Sequence, residues 1–164
     1  MGIFKFPDLH IEKSSAEVHY TLDLDMDRFE GQFDKAQHML DTQIMTDMIP
    51  YMPKVTGTFI NRTLAMSASV AGSGYVYAAA PPYGRFLYAG KTMVSPSTGS
   101  TWAKYGEKKV LVSQYRGKTN AQENLTYNSS FNPRVTAEWY EEAKRRNGKR
   151  WINMTKGVAG DGRR

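Results

Sequence analysis

Apolar and polar positions alternate along this chain with a period that changes near residue 28, and the change predicts where a strand gives way to a helix. Val18, Tyr20, Leu22, Leu24 and Met26 fall on one side, and Glu17, His19, Thr21, Asp23, Asp25 and Asp27 on the other. Period-2 alternation of this kind predicts a strand with one buried face. Phe29, Phe33, Ala36, Leu40, Ile44 and Met48 then recur every three to four residues, which makes one stripe on a helix. A helix over 28–49 follows, opened by Asp27 and Glu30 as a capping box. Pro50 and Pro53 stop it, because proline has no backbone N–H to donate.

Beyond Gly57 comes a turn or second short helix. Then Leu64, Met66, Ala68 and Val70 alternate with small polar residues, the 71–74 stretch Ala-Gly-Ser-Gly is turn material, and Tyr75–Ala80 reads as the returning strand of a hairpin. Residues 83–90 read as a short helix closed by Gly90. Residues 91–131 are rich in Ser, Thr, Gly, Asn and Lys, with possible strands at Lys109–Gln114 and Leu125–Tyr127. Such a length without regular elements predicts an extended arm ordered by a neighbour. Asn132 and Pro133 suit the cap and first position of a second principal helix. Val135, Trp139 and Ala143 line one side of it, and Gly148 closes it. Trp151, Ile152, Thr155 and Val158 suggest a final short helix. Residues 1–16 read as an N-terminal arm and 160–164 as a frayed tail. The 17–159 span is then a single α+β domain, an antiparallel sheet with two principal helices packed on it and the arm at 91–131.

A length of 164 residues allows one modest core. No stretch approaches the apolar length of a membrane span, and residues 1–8 lack the apolar run and cleavage site of a signal peptide. The absence of cysteine excludes disulfides, thiolate metal sites and cysteine nucleophiles. Charge divides the chain more sharply than composition does. Residues 1–50 hold four Lys/Arg against ten Asp/Glu (net −6), residues 51–133 nine against two (+7), and residues 134–164 nine against four (+5). The division suggests complementary surfaces, or contact of the basic part with a polyanion.

Candidate chemistry is sparse. His10, His19 and His38 have no ligand-like spacing. Asp23, Asp25 and Asp27 begin like a calcium loop, but Arg28 and Asp34 stand where it needs Gly and Glu. On a strand the three carboxylates share one face, either plainly solvated or lining an aqueous channel. The glycines around Ser73 lack the Lys-Ser/Thr ending of a phosphate loop, and no nucleophile or acid/base motif is present. No catalytic, cofactor-binding or metal-binding residue is therefore assigned. Basic and aromatic residues interleave from 85 to 118: Arg85, Tyr88, Lys91, Trp102, Tyr105, Tyr115 and Arg116 lead, with Lys104, Lys108, Lys109 and Lys118 among them. Such a mix suits single-stranded nucleic acid and equally a protein interface. Without a nucleic-acid motif, interface is the preferred reading.

The order of motifs resembles a known family. The amphipathic helix leads into Pro50-Tyr51-Met52-Pro53-Lys54-Val55-Thr56-Gly57, then Pro82-Tyr83-Gly84-Arg85-Phe86-Leu87-Tyr88-Ala89-Gly90-Lys91. Later come Asn132-Pro133, Trp139-Tyr140-Glu141-Glu142-Ala143-Lys144 and Gly148-Lys149-Arg150-Trp151-Ile152. Residues 28–159 resemble the minor capsid proteins encoded in the head–tail joining region of tailed bacteriophages of Gram-positive hosts, with Gly84 where the family usually has Ala. The resemblance implies a non-enzymatic α+β subunit of a homo-oligomeric ring in the virion neck. Its neighbours would be connector or stopper, tail-terminator or tail-tube proteins. Genomic double-stranded DNA would pass through the lumen without specific binding, and no membrane or cofactor would be involved. A basic nucleic-acid-binding module, or the tail-terminator ring of the same particle, are the alternatives.

Overall fold

The computed structural model describes residues 5–14, 19–24 and 26–160. It is mixed α+β, with helices as its main mass and small antiparallel two-stranded sheets at its margins. Strand β1 (Leu9–Ser14) pairs with β2 (His19–Leu24), Leu9 opposite Leu24 and Ile11 opposite Leu22. The stretch read as an N-terminal arm is thus half of a hairpin, because a lone amphipathic strand leaves its ladder groups unpaired and β1 supplies the partner. Val18 and Asp25 lie outside the described residues.

Helix α1 (Asp27–Met48) starts and ends within two residues of the predicted 28–49. Its cap is not the expected one. Met26 stands at the cap position with no side-chain bond, while Glu30 Oε1 accepts the Phe6 amide at 2.6 Å and ties the segment before β1 to the first turn. Pro50 turns α1 into a short 3-10 helix, Ile49–Tyr51.

Residues 58–80 differ from the predicted hairpin. Thr58–Ala68 is a helix, α2, with Ile60, Thr63 and Ser67 buried at spacings of three and four. Two of those three are polar, which hid the helical period behind the 64–70 alternation. The residues explain themselves by what they bind. Thr63 Oγ1 accepts the Ala80 amide at 3.1 Å, and Ser67 Oγ both accepts the Tyr77 amide and donates to the Tyr77 carbonyl at 3.1 Å. Residues 75–80 therefore lie along α2 without forming a strand, their backbone satisfied by side chains.

Helix α3 (Gly84–Ala89) ends where expected, Gly90 taking the left-handed conformation at φ 66°. β3 (Met93–Val94) and β4 (Val110–Leu111) form the second small sheet. Helix α4 (Trp139–Gly160) begins later than predicted and runs straight through Gly148. Asn132 does not cap it; its Nδ2 donates to the carbonyls of Ile49 and Met52 at 3.0 and 2.7 Å, closing the end of the first helical segment. Glu138, at φ 49°, opens α4 by accepting the amides of Glu141 and Glu142. A mid-helix Gly costs about 1 kcal/mol, and the burial of Trp151 one turn later offsets it.

The core lies between helices. Met45, Met48, Tyr51, Met52, Ile60, Trp139, Ala143 and Trp151 form it, and the principal partner of α1 is α4 rather than a sheet. Trp139 is fully buried, its Nε1 donating to the Ala78 carbonyl at 2.8 Å and its ring meeting Tyr88 edge-on at 4.9 Å. Phe33, in the predicted stripe of α1, meets Phe6 at 5.4 Å.

Candidate interaction surface

The basic, aromatic stretch is divided by the fold into residues that hold the arm and residues that it displays. Tyr88 belongs to the core: its ring packs on Trp139, and burial, with the charges of Glu141 and Glu138 beside it, raises its hydroxyl pKa. It is half-buried against that core. Lys91 is engaged within the arm, its Nζ 3.3 Å from Glu123 Oε1 and 2.9 Å from Asn124 Oδ1. Tyr115 is half-buried and folded over glycine; a Cβ at Gly117 would come within 2.6 Å of its Cζ. The absence of a side chain there is what lets the ring lie flat. The other four, Arg85, Trp102, Tyr105 and Arg116, are exposed. Trp102 is 85% accessible and Tyr105 fully so.

A single carboxylate shapes the arm's tip. Glu107 accepts the hydroxyls of Ser95 (2.8 Å) and Ser97 (2.7 Å) and the amides of Ser97 (3.3 Å) and Lys104 (3.0 Å). The Ser97 and Ser95 hydroxyls, then the Lys104 amide, lower its pKa from 4.5 to about 2. Opposite it, Lys109 Nζ donates to the Thr101 carbonyl at 2.6 Å. The loop carrying Trp102 and Tyr105 is thus tied at both ends by polar bonds, and the two rings stand outside it. Glu107 and Glu123 are the only acids among residues 51–133, and both bind the arm to itself. That isolation was the signal that could have marked Glu107 beforehand.

Next to the tip, Arg85 stacks on Phe86 at 4.4 Å and lines a shallow hollow with Met93, Lys109 and Leu111. Tyr83, Phe86, Lys91 and Lys109 line a second hollow on the same side. The arrangement offers cations beside apolar and aromatic surface, with no nucleophile paired to a base. Among the described residues, no cluster of His, Asp or Glu could hold a metal ion, and no helix is long and apolar enough to cross a membrane.

The three aspartates do not form one strand face. Asp23 sits on β2 opposite His10, Asp25 is outside the described residues, and Asp27 is the first residue of α1. The strand ends at Leu24, so the alternation does not carry through to Asp27.

Helix α4 holds most of its charge in internal pairs. Glu142 accepts from Arg145 at 2.7 Å and from Arg146, and Arg150 donates to Asp47 on α1. Trp151 Nε1 donates to the same Asp47 Oδ2 at 2.6 Å. Burial raises the Asp47 pKa, but the hydrogen bonds of Arg150, Trp151 and Gln43 outweigh it and leave the carboxyl below its usual range. Comparison with protein-family models, with curated protein sequences and with solved structures gave no match.

Proposed function

We propose that this chain is a structural subunit of a phage neck, assembled as a homo-oligomeric ring between head and tail. The observation that carries the proposal is the arm at 91–131, a polar segment tied to itself by Glu107 that holds Trp102 and Tyr105 out to solvent. Aromatic side chains presented on a braced loop are what an interface core uses. The motif order that resembles head–tail joining proteins supports the same reading, as does the charge division between residues 1–50 and the rest. A closed ring needs two different, complementary surfaces on each subunit.

Nucleic acid is the weaker reading. Three of the six cations of α4, Arg145, Arg146 and Arg150, are paired with Glu142 and Asp47, and pairing weakens their attraction to phosphates. The test is to raise antibody to the purified chain and label particles of the phage that encodes it, with electron microscopy of the chain alone in parallel. Label at the neck and ring-shaped particles are expected. Particles free of the chain, with a subunit that stays monomeric and binds DNA with a steep salt dependence, would overturn the proposal in favour of the nucleic-acid module.

A further inference from the structure

Among the described residues, none of β1 or β2 belongs to the hydrophobic core cluster. In the register of the β1–β2 hairpin Leu9 stands opposite Leu24 and Ile11 opposite Leu22, and His10 stands opposite Asp23 and Glu12 opposite Thr21. The register thus pairs apolar with apolar positions at alternate residues, and Leu9 is 46% and Ile11 38% exposed. The hairpin's attachment is at its base, through Phe6 to Phe33 and Glu30, and through Asp8 accepting the Met26 amide at 3.3 Å. A two-stranded hairpin is marginal in water unless its apolar face packs on a further strand or on a helix.

A surface that would cover it exists elsewhere on the chain. Leu40 and Ile44 of α1 with Gly148, Trp151 and Ile152 of α4 enclose an open, almost wholly apolar groove of about 330 Å³. Ile152 is 56% exposed at its edge. The groove's cations are Lys144 and Lys156. The hairpin and the residue before it carry Asp8, Glu12 and Asp23, opposite in sign to the two lysines that line the groove. The two surfaces thus match in both apolar character and charge.

We propose that the hairpin of one copy lays its apolar face into the α1–α4 groove of a second copy. The inference rests on the ring reading and deepens it by naming the contact. Hairpin and groove are different patches, so the contact is head-to-tail and propagates from copy to copy until rotation closes it. Cations at the groove's rim and carboxylates on the hairpin set the register, while Leu9 and Ile11 supply the burial.

The chain has no cysteine, so one introduced pair reports cleanly. The full-length Ile11→Cys/Ile152→Cys variant, mildly oxidised, is expected to give a ladder of intermolecular cross-links that leaves rings intact. Ile11→Asp and Ile152→Asp, both at exposed positions, are each expected to raise the concentration for half-assembly about tenfold or more, the effect of denying one aliphatic side chain its burial. Mixed together they should yield dimers joined by the one intact contact. A cross-link within single chains only would mean that the hairpin covers its own groove, and would overturn the proposal. Rings that form with no cross-link, and with both Asp variants assembling normally, would overturn it while leaving the ring reading in place. A chain that stays monomeric at every concentration and never cross-links would remove both.

Discussion

The α1–α4 body and the 91–131 arm are held by different forces. The body closes around Trp139, Met48 and Met52, all fully buried, and its polar contacts serve that burial, as where Asp47 receives Trp151 and Arg150. The arm inverts the arrangement. Its hydrogen bonds converge on a half-buried carboxylate, Glu107, and Trp102 and Tyr105 face outward. A region held by burial is self-sufficient. A region held by polar bonds that displays aromatics exposes apolar area that adds no stability to the subunit, and under the proposed function a neighbouring subunit covers it.

The sharpest way to break this contrast is in the body. Trp139→Ala removes the central side chain and orphans the Ala78 carbonyl, and should cost about 3–5 kcal/mol in denaturant unfolding; a change below about 1 kcal/mol would mean that α4 closes elsewhere. Asp47→Ala leaves the Trp151 indole N–H without its acceptor and should cost about 1–3 kcal/mol.

Glu107 separates the regions by pH. Its carboxyl is depressed from 4.5 to about 2 in the fold, so the order it confers is complete above 4.5 and is lost as pH falls from there through 2. Amide chemical shifts of Ser97 and Lys104 should move across that window while those of α1 hold, and Glu107→Gln should abolish the movement. Smallest of all for the isolated subunit, Trp102→Ala and Tyr105→Ala should change stability by no more than about 0.5 kcal/mol, yet weaken assembly.

What was readable beforehand follows the same division. Helix α1 was legible because apolar residues recur along it at helical spacing. Its buried residues, Ala36, Asp41, Met45 and Met48, share only Ala36 and Met48 with that stripe and include a carboxylate. Helix α3 was legible because Gly90 marks its end. Helix α2 was not, because Thr63 and Ser67 face inward to bind residues 77 and 80, contacts that no local pattern encodes. The start of α4 was misplaced for a similar reason: Asn132 caps a segment 80 residues away instead of its own helix. Strand β1 carries too short an alternation to announce itself without its partner. Trp102 and Tyr105 were named from composition and are exposed, whereas Tyr88 and Tyr115 look the same in sequence and are half-buried. Exposure depends on long-range packing, which composition does not carry.

Hydrogen exchange, compared between monomer and assembled particle, tests the contrast most directly. The account predicts that amides of 95–118 gain protection on assembly while those of Met45, Met48 and Ala143 keep the protection that they already have as monomer. Equal protection of the arm in both states, or gains spread evenly over α1 and α4, would contradict it.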